Sequence, residues 1–317
     1  MKTYGKVVVL AGGISSERDI SLKSGEAVHE ALKRKGLDVE LLDIKDDFED
    51  TLPRLLADEV FIALHGRFGE DGTIQGILEE AGLPYTGSGV HASKLALDKI
   101  ASREIFQANG INVPEYKTVR QDEEFEKTLL DLRFPCVVKP RSEGSSIGLS
   151  IVKEETGLRD ALSSAFGYDE TVIIEDYIDG KELTVGILED TALPIIEIAS
   201  KDNVYDYSAK YTDKDTIYTI PRGLSRSLYK DIQGVALKSH IALCCRDFSR
   251  VDMRLDKRGR IYVLEVNTIP GMTERSLLPK AAKEAGVGFD DLCIRLVELA
   301  YRRRVTDGEK KFEKKQK

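Results

Sequence analysis

The stretch "SRVDMRLDKRGRIYVLEVNTIPG" (Ser249–Gly271) holds two β-rich runs separated by Asp256-Lys257-Arg258-Gly259. That turn-forming cluster predicts an antiparallel hairpin. Side chains alternate across a strand, so Glu265 and Asn267 point together while Val266 points away. If the turn closes symmetrically about Lys257-Arg258, Leu255 opposes Arg260 and Arg250 opposes Glu265. One face then carries Arg250, Asp252, Arg254, Ile261, Val263, Glu265 and Asn267. The other, with Val251, Met253, Leu255, Tyr262, Leu264 and Val266, reads as core. The first face gathers two carboxylates, an amide oxygen and a guanidinium, and Mg²⁺ takes such oxygen donors together with phosphate. For two strands alone, a solvated face of Arg–carboxylate pairs is the commoner arrangement. The Pro270-Gly271 stop just beyond the strand favours the metal. The inference depends on register, because a one-residue slip turns Glu265 away from Asp252.

Upstream, "RFPCVVKPRSEGSSIGLSIV" sets Lys139 at the end of an apolar strand, followed by a loop with Gly144, Ser145, Ser146 and Gly148. A point charge beside backbone N–H groups and hydroxyls suits a triphosphate. "TVIIEDYIDGKELTVGIL" ends an apolar strand at Glu175 and resumes after a Gly turn with Glu182. Backbone at such an exit can read an adenine, and a carboxylate a ribose. An ordinary flexible hairpin and a surface acidic turn explain each stretch separately; their joint occurrence ahead of Asp252, Glu265 and Asn267 favours a nucleotide site.

The first third alternates strand and helix signals: "KVVVLAGG", "SGEAVHEALKRKG", "DVELLDI", "VFIALHG" and "GTIQGILEEAG". This pattern predicts a parallel βαβ-type sheet, with ligands at the strand C-termini. The loops there, "GGISSERDISLKSG" and "HGRFGEDG", match neither GxGxxG nor GxxxxGK[ST]. Read alone, Glu17, His65 and Glu70 fit helix caps and loop salt bridges somewhat better than site residues.

A chain of 317 residues implies two or three domains. A formal charge of −8 and a pI near 5.3 argue against a nucleic-acid binder. The four cysteines, Cys136, Cys244, Cys245 and Cys293, lack zinc-like spacing and read as reduced thiols of a cytosolic protein. No apolar run nears membrane-spanning length, and the opening run is too short for a signal sequence. From Arg302 onward the chain is basic and reads as a frayed, solvated tail, with attraction to an anionic surface second.

Taken together, these stretches resemble the D-alanine–D-alanine ligases of the ATP-grasp superfamily. The likeness runs in order from "GGISSERDISLKSG" through "LHGRFGEDGTIQG", "DK" at 98–99, "VVKPRSEGSSIG", "EDYIDGKELTVGIL", "YDYSAKY" and "RVDMRL" to "LEVNTIPGMTERSLLP". It implies an α/β (α+β), three-domain architecture: a parallel-sheet substrate-side domain over 1–97, a central ATP-grasp lid over 98–183, and a metal-binding, catalytic domain over 184–317. A mobile loop at about 200–216 would close over the site. The implied activity joins two D-alanines through a D-alanyl phosphate, for peptidoglycan precursors and hence cell wall and cell shape. D-alanine, ATP and two Mg²⁺ (or Mn²⁺) would be bound by a cytoplasmic homodimer with no nucleic-acid or membrane partner.

The resemblance also implies roles. Lys99, Lys139, Ser145 and Ser146 would meet ATP phosphates, Glu175 and the backbone near Tyr177 and Ile178 the adenine, and Glu182 the ribose. Asp252, Glu265 and Asn267 would hold the metals. Glu17 would bind the first D-alanine ammonium, linked to Ser145 and Tyr211, with His65 nearby. Lys210 would reach the γ-phosphate, Arg250 and the Gly271 N–H an oxyanion, and Ser276 with the Leu277 N–H the second carboxylate. Tyr211 favours an amine over a hydroxyl nucleophile, and Ile14 and Ile269 depart from the smaller or hydroxylated residues common there. A D-alanine–D-lactate or other carboxylate–amine ligase, a noncatalytic ATP-binding module and a two-metal phosphohydrolase stand as alternatives.

Overall fold

The apolar opening run forms β1 (Lys6–Gly12), whose residues Val7 to Ala11 are wholly buried, as a parallel strand covered on both faces requires. Helix α1 (Arg18–Arg34) leads to β2 (Asp38–Ile44), and α2 (Phe48–Thr51) precedes β3 (Glu59–Ile62). The three strands pair in parallel in the order β2-β1-β3, with α3 (Thr73–Glu80) following. The computed structural model describes residues 4–45, 48–52, 55–122, 131–199 and 217–315. Lys210, Tyr211 and the expected loop at about 200–216 lie outside them.

Helices α4 (Val90–Leu97) and α5 (Lys99–Ala108) lead into a four-stranded antiparallel sheet of β4 (Tyr116–Arg120), β5 (Cys136–Pro140), β6 (Ser150–Val152) and β7 (Thr171–Asp176), ordered β4-β7-β5-β6. Helix Leu158–Phe166 covers one face, packing Leu158, Leu162 and Ala165 on Val138, Val172 and Ile174. A five-stranded antiparallel sheet follows, built from β8 (Gly180–Leu188), β9 (Thr191–Ala199), β10 (Ile217–Thr219), β11 (Phe248–Asp256) and β12 (Ile261–Asn267) in the order β10-β9-β8-β11-β12. The sheets change over at Tyr177–Asp179, between β7 and β8, so the expected division at 183/184 falls inside β8. The C-terminal helix Phe289–Lys315 returns to the first sheet: Leu292 and Leu296 share one core with Val28 and Leu32 of α1 and Leu188 of β8. Where a frayed tail was expected, the helix runs on, and Arg303 pairs with Asp247 and donates to the Tyr85 carbonyl at 2.6 Å.

The β11–β12 hairpin corrects the expected register. The Asp256 carboxylate accepts from the Arg258 and Arg260 N–H groups, both at 2.8 Å, so the turn closes one residue later and Leu255 opposes Ile261. Met253 then opposes Val263, and Ile261 and Val263 pack with the core rather than on the polar face. A β-bulge at Leu264 takes up one further residue, after which Asp252 opposes Glu265 and Arg250 opposes Asn267.

Glu59 begins β3 with 1 % exposure and no hydrogen bond to either carboxylate oxygen. Burial pushes it up from 4.5 to about 7, against the pull of Arg304 and Arg303 and with a push from Asp58. The native state therefore holds more protons than the unfolded chain between these values, and stability falls as pH rises from about 4.5 to 7, by roughly 3 kcal/mol. Glu59→Gln is expected to flatten this slope and raise the melting temperature at pH 8 but not at pH 4.5; parallel melting curves at both pH values would remove the assignment.

Candidate functional site

Asp252, Glu265 and Asn267 share one end of the β11–β12 hairpin with Arg250. Asp252 accepts from Arg250 Nε at 2.8 Å and Nη2 at 2.6 Å, and from Thr184 Oγ1 of β8 at 2.6 Å. Glu265, directly across from it, lies 3.8 Å from Lys99 Nζ, and Asn267 Oδ1 accepts from the Ile269 N–H at 2.9 Å. Among the described residues no group of three His, Cys, Asp or Glu side chains is arranged to hold a metal. Two carboxylates and one amide oxygen nevertheless suit a hard divalent cation that completes its shell with phosphate and water. Cationic side chains, Arg250 and Lys99, already face both carboxylates, as the chemistry of that donor set demands.

Between the four- and five-stranded sheets lies a cleft lined by residues of both, among them Lys139, Glu175, Glu182 and Asp252. Val137, Leu149 and Ile151 give it apolar walls, and the bulged Leu264 enters from β12. At its base Lys139 Nζ meets Glu175 Oε1 at 2.8 Å, and Arg103 of α5 takes Glu175 Oε2. Burial pushes Lys139 down to about 8, with Glu175 pulling it up and Arg103 pushing it further down. Burial also works against the Glu175 charge, but Arg103 and Lys139 outweigh it and hold the carboxyl below its usual range. Both oxygens of Glu175 are thus engaged by cations, so it is no bare acceptor for a base. At the other end Arg254 organises the strand exit: it donates to the Ile178 carbonyl at 3.0 Å, Glu182 Oε2 at 2.8 Å and the Tyr177 hydroxyl at 3.1 Å, with its guanidinium 5.3 Å from the Tyr177 ring centre.

A second pocket adjoins the first through shared walls of Lys99, Glu143 and Glu265. Glu17 precedes α1 and is buried, accepting from the Ser145 hydroxyl of the β5–β6 loop. Two glycines make room for it. A Cβ at Gly66, where φ is +69°, would sit 2.8 Å from Glu17 Oε2, and one at Gly144 would sit 2.9 Å away. Ser145 and Ser146 themselves adopt φ of +49° and +60°, a conformation non-glycine residues hold only where their surroundings impose it. Lys99 donates to the Glu143 carbonyl, and Arg67 Nη2 reaches both Glu143 Oε1 and the Tyr168 carbonyl at 3.0 Å. These contacts hold the loop across the mouth of the first domain.

His65 lies at the back of this pocket. Its Nδ1 faces the Ile269 carbonyl at 2.9 Å and so carries a proton, while Nε2 lies 3.0 Å from Ser24 Oγ, which accepts from the Met272 N–H at 3.2 Å. Burial pushes His65 down, but Glu70, 3.6 Å from Nδ1, together with Glu17 and the Ile269 carbonyl, more than offsets it and the net shift is upward. The network ties the 269–272 segment to α1. Gly271, Ser276 and Leu277 close the far wall, where helix Leu277–Glu284 begins with its free N–H groups.

The fold therefore brings Glu17, His65, Lys99, Ser145, Arg250, Glu265, Asn267, Gly271, Ser276 and Leu277 to one pocket, and Lys139, Ser146, Glu175, Tyr177, Ile178, Glu182 and Asp252 to the adjoining cleft. Sequence reasoning missed Arg103, Arg254, Glu143 and Ser24 as site residues. Arg103 carried one signal, sitting three residues before Phe106 on the buried stripe of α5.

The chain is similar to known proteins in sequence and in fold. Two family models match, described as the D-ala D-ala ligase N-terminus over residues 49–88 and the D-ala D-ala ligase C-terminus over residues 105–298. The D-alanine–D-alanine ligase of Geotalea uraniireducens is 47 % identical over 295 residues, covering 93 % of this chain and 95 % of that protein. That of Nitrosomonas eutropha is 47 % identical over 301 residues, covering 95 % and 98 %. Among solved structures, the D-alanine–D-alanine ligase of Bacillus anthracis complexed with ATP superposes with a TM-score of 0.84 at 34 % identity, covering 95 % of this chain and 99 % of that one. A D-Ala:D-Ser ligase from Enterococcus faecalis gives 0.82 at 32 %, covering 93 % and 99 %. With identity of this order along almost its whole length, the chain belongs to the D-alanine–D-alanine ligase family.

Proposed function

We propose that the protein joins two D-alanine molecules into D-alanyl-D-alanine, with ATP converted to ADP and phosphate. The observation that carries this reading is the pair of adjoining pockets, a cleft with apolar walls over Lys139 and a polar chamber, that meet at Lys99, Glu143 and Glu265. The first D-alanine binds with its ammonium on Glu17, in a group with Ser145 and Tyr211, while His65 holds the chamber wall through Ser24 and Ile269. Its carboxylate oxygen attacks the γ-phosphorus of ATP, the bond to the β-phosphate oxygen breaks, and D-alanyl phosphate and ADP result. Lys99, Lys139, Ser146 and Lys210 position the phosphates. Tyr177, Ile178 and Glu182 receive adenine and ribose, and Glu175 serves as the counter-charge of Lys139.

The second D-alanine docks its carboxylate on Ser276 and the Leu277 N–H, at a helix start that favours an anion. Its amine attacks the acyl carbon, Arg250 and the Gly271 N–H stabilise the tetrahedral oxyanion, and phosphate leaves. The family uses a divalent metal. Asp252, Glu265 and Asn267 would hold two Mg²⁺ (or Mn²⁺), which, when bound, offset charge on the triphosphate. The family resemblance further supports a homodimer, and the four free cysteines suit the reducing cytoplasm. No helix of the described residues is long and apolar enough to cross a membrane. The test is phosphate release from Mg²⁺ATP with product identification by mass spectrometry. Release that requires D-alanine and yields the dipeptide is expected; release without any amino acid, or depsipeptide formed from D-lactate at neutral pH in preference to dipeptide, overturns the reading.

A further inference from the structure

Arg103 is one of the largest side chains in the protein to be wholly buried, at 0 % exposure, yet it does not line the cleft. Its Nη2 goes to Glu175, whereas Nε and Nη1 have no hydrogen-bond partner; the Tyr116 ring centre lies 5.1 Å from its central carbon. Glu175 is shared with Lys139, which is buried but lines the cleft. Two cations therefore face one carboxylate. The other charges acting on Lys139, Lys99 and Glu265, are of opposite sign and cancel. Among the described residues, what remains is one buried positive charge in excess, with two guanidinium nitrogens unmatched. Burial of unbalanced charge and of unpaired donors is unfavourable, and apolar residues of similar volume often do better in such places.

An arrangement that weakens the empty protein is explicable if something anionic balances it. The excess charge lies beneath the part of the cleft where Lys139 faces the open space, and a polyphosphate supplies the missing negative charge there. We propose that Arg103 is a positioning residue for the nucleotide phosphates: it fixes Glu175, through Glu175 it aims Lys139, and it leaves the base of the cleft with a net positive charge that ATP neutralises. Glu175 alone with Lys139 would form a closed neutral pair and draw the ammonium away from the ligand. With Arg103 occupying Oε2, the carboxylate holds Lys139 by one oxygen only. The inference rests on the nucleotide reading of the cleft and goes beyond it by assigning a residue outside the cleft wall.

The experiment compares Arg103→Met and Arg103→Lys with the wild type in the full chain, by calorimetric titration with Mg²⁺ATP and with adenosine and by thermal unfolding without ligand. Arg103→Met is expected to raise the ATP dissociation constant about tenfold, the scale of one charge acting across roughly 10 Å at intermediate dielectric. Adenosine affinity should stay within about twofold, and the ligand-free melting temperature should hold or rise. Arg103→Lys, which keeps the charge, should retain most of the ATP affinity. Unchanged ATP affinity in Arg103→Met, or equal losses for ATP and adenosine, overturns the proposal; if Met does not fold, the same comparison between Arg103→Lys and Arg103→Gln decides it. A wild type that fails to bind ATP defeats the nucleotide reading itself, a result separable from either.

Discussion

Glu265→Gln is expected to lower D-alanine-dependent phosphate release by about a thousandfold, the scale of several kcal/mol of lost charge stabilisation in phosphoryl transfer. The substitution is nearly isosteric, and Glu265 is only partly buried, with Lys99 Nζ 3.8 Å away. It therefore removes a negative charge from the oxygen cluster without opening a cavity. Asp252 is a poorer probe, because Arg250 and Thr184 depend on it and its loss disturbs β8 and β11 together. Turnover measured across a Mg²⁺ titration, with circular dichroism to confirm the fold, checks the expectation. Near-normal turnover at limiting Mg²⁺ would leave Glu265 a partner of Lys99 and nothing more.

That the acid pair could be found in the sequence, though its register could not, has a physical cause. Strand alternation is a parity argument, and two one-residue shifts occur between the turn and the site. Asp256 lengthens the turn by capping the N–H groups of Arg258 and Arg260, and the bulge at Leu264 adds the second shift. Parity is restored at Glu265, so Asp252 and Glu265 share a face as expected, while between the shifts Ile261 and Val263 turn to the core. Neither shift has a strong local signature, because any Asp can cap a turn and any residue can bulge. The parallel first sheet was legible because its central strand, β1, is a continuous apolar run between alternating strand and helix signals. The contact of Ser145 with Glu17 spans 128 residues and came only from the family resemblance, and no local pattern encodes it. Arg103 and Arg254 were missed as site residues because an arginine in a helix or strand ordinarily faces water. Beyond the place of Arg103 on the buried stripe of α5, the tertiary partners, Glu175 and Glu182, reveal otherwise.

Arg250→Met separates stability from catalysis at the same centre. Arg250 and Asp252 are both buried and joined by two hydrogen bonds, so removing the guanidinium strands a carboxylate with Thr184 as its remaining side-chain donor. Breaking a buried pair from one side costs about 3–5 kcal/mol, and the ligand-free protein should melt at a correspondingly lower temperature. A divalent cation held by Asp252 would supply the missing positive charge. Mg²⁺ATP should then raise the melting temperature of the variant by more than it raises that of the wild type. Turnover should not recover with it, because the oxyanion loses a donor that the metal-binding face does not replace, a loss of about 10²–10³-fold. Thermal unfolding and dipeptide synthesis, each measured with and without Mg²⁺ATP, read the two effects independently. If activity returned in step with stability, Arg250 would be only a clamp on Asp252, and the oxyanion would depend on the Gly271 N–H alone.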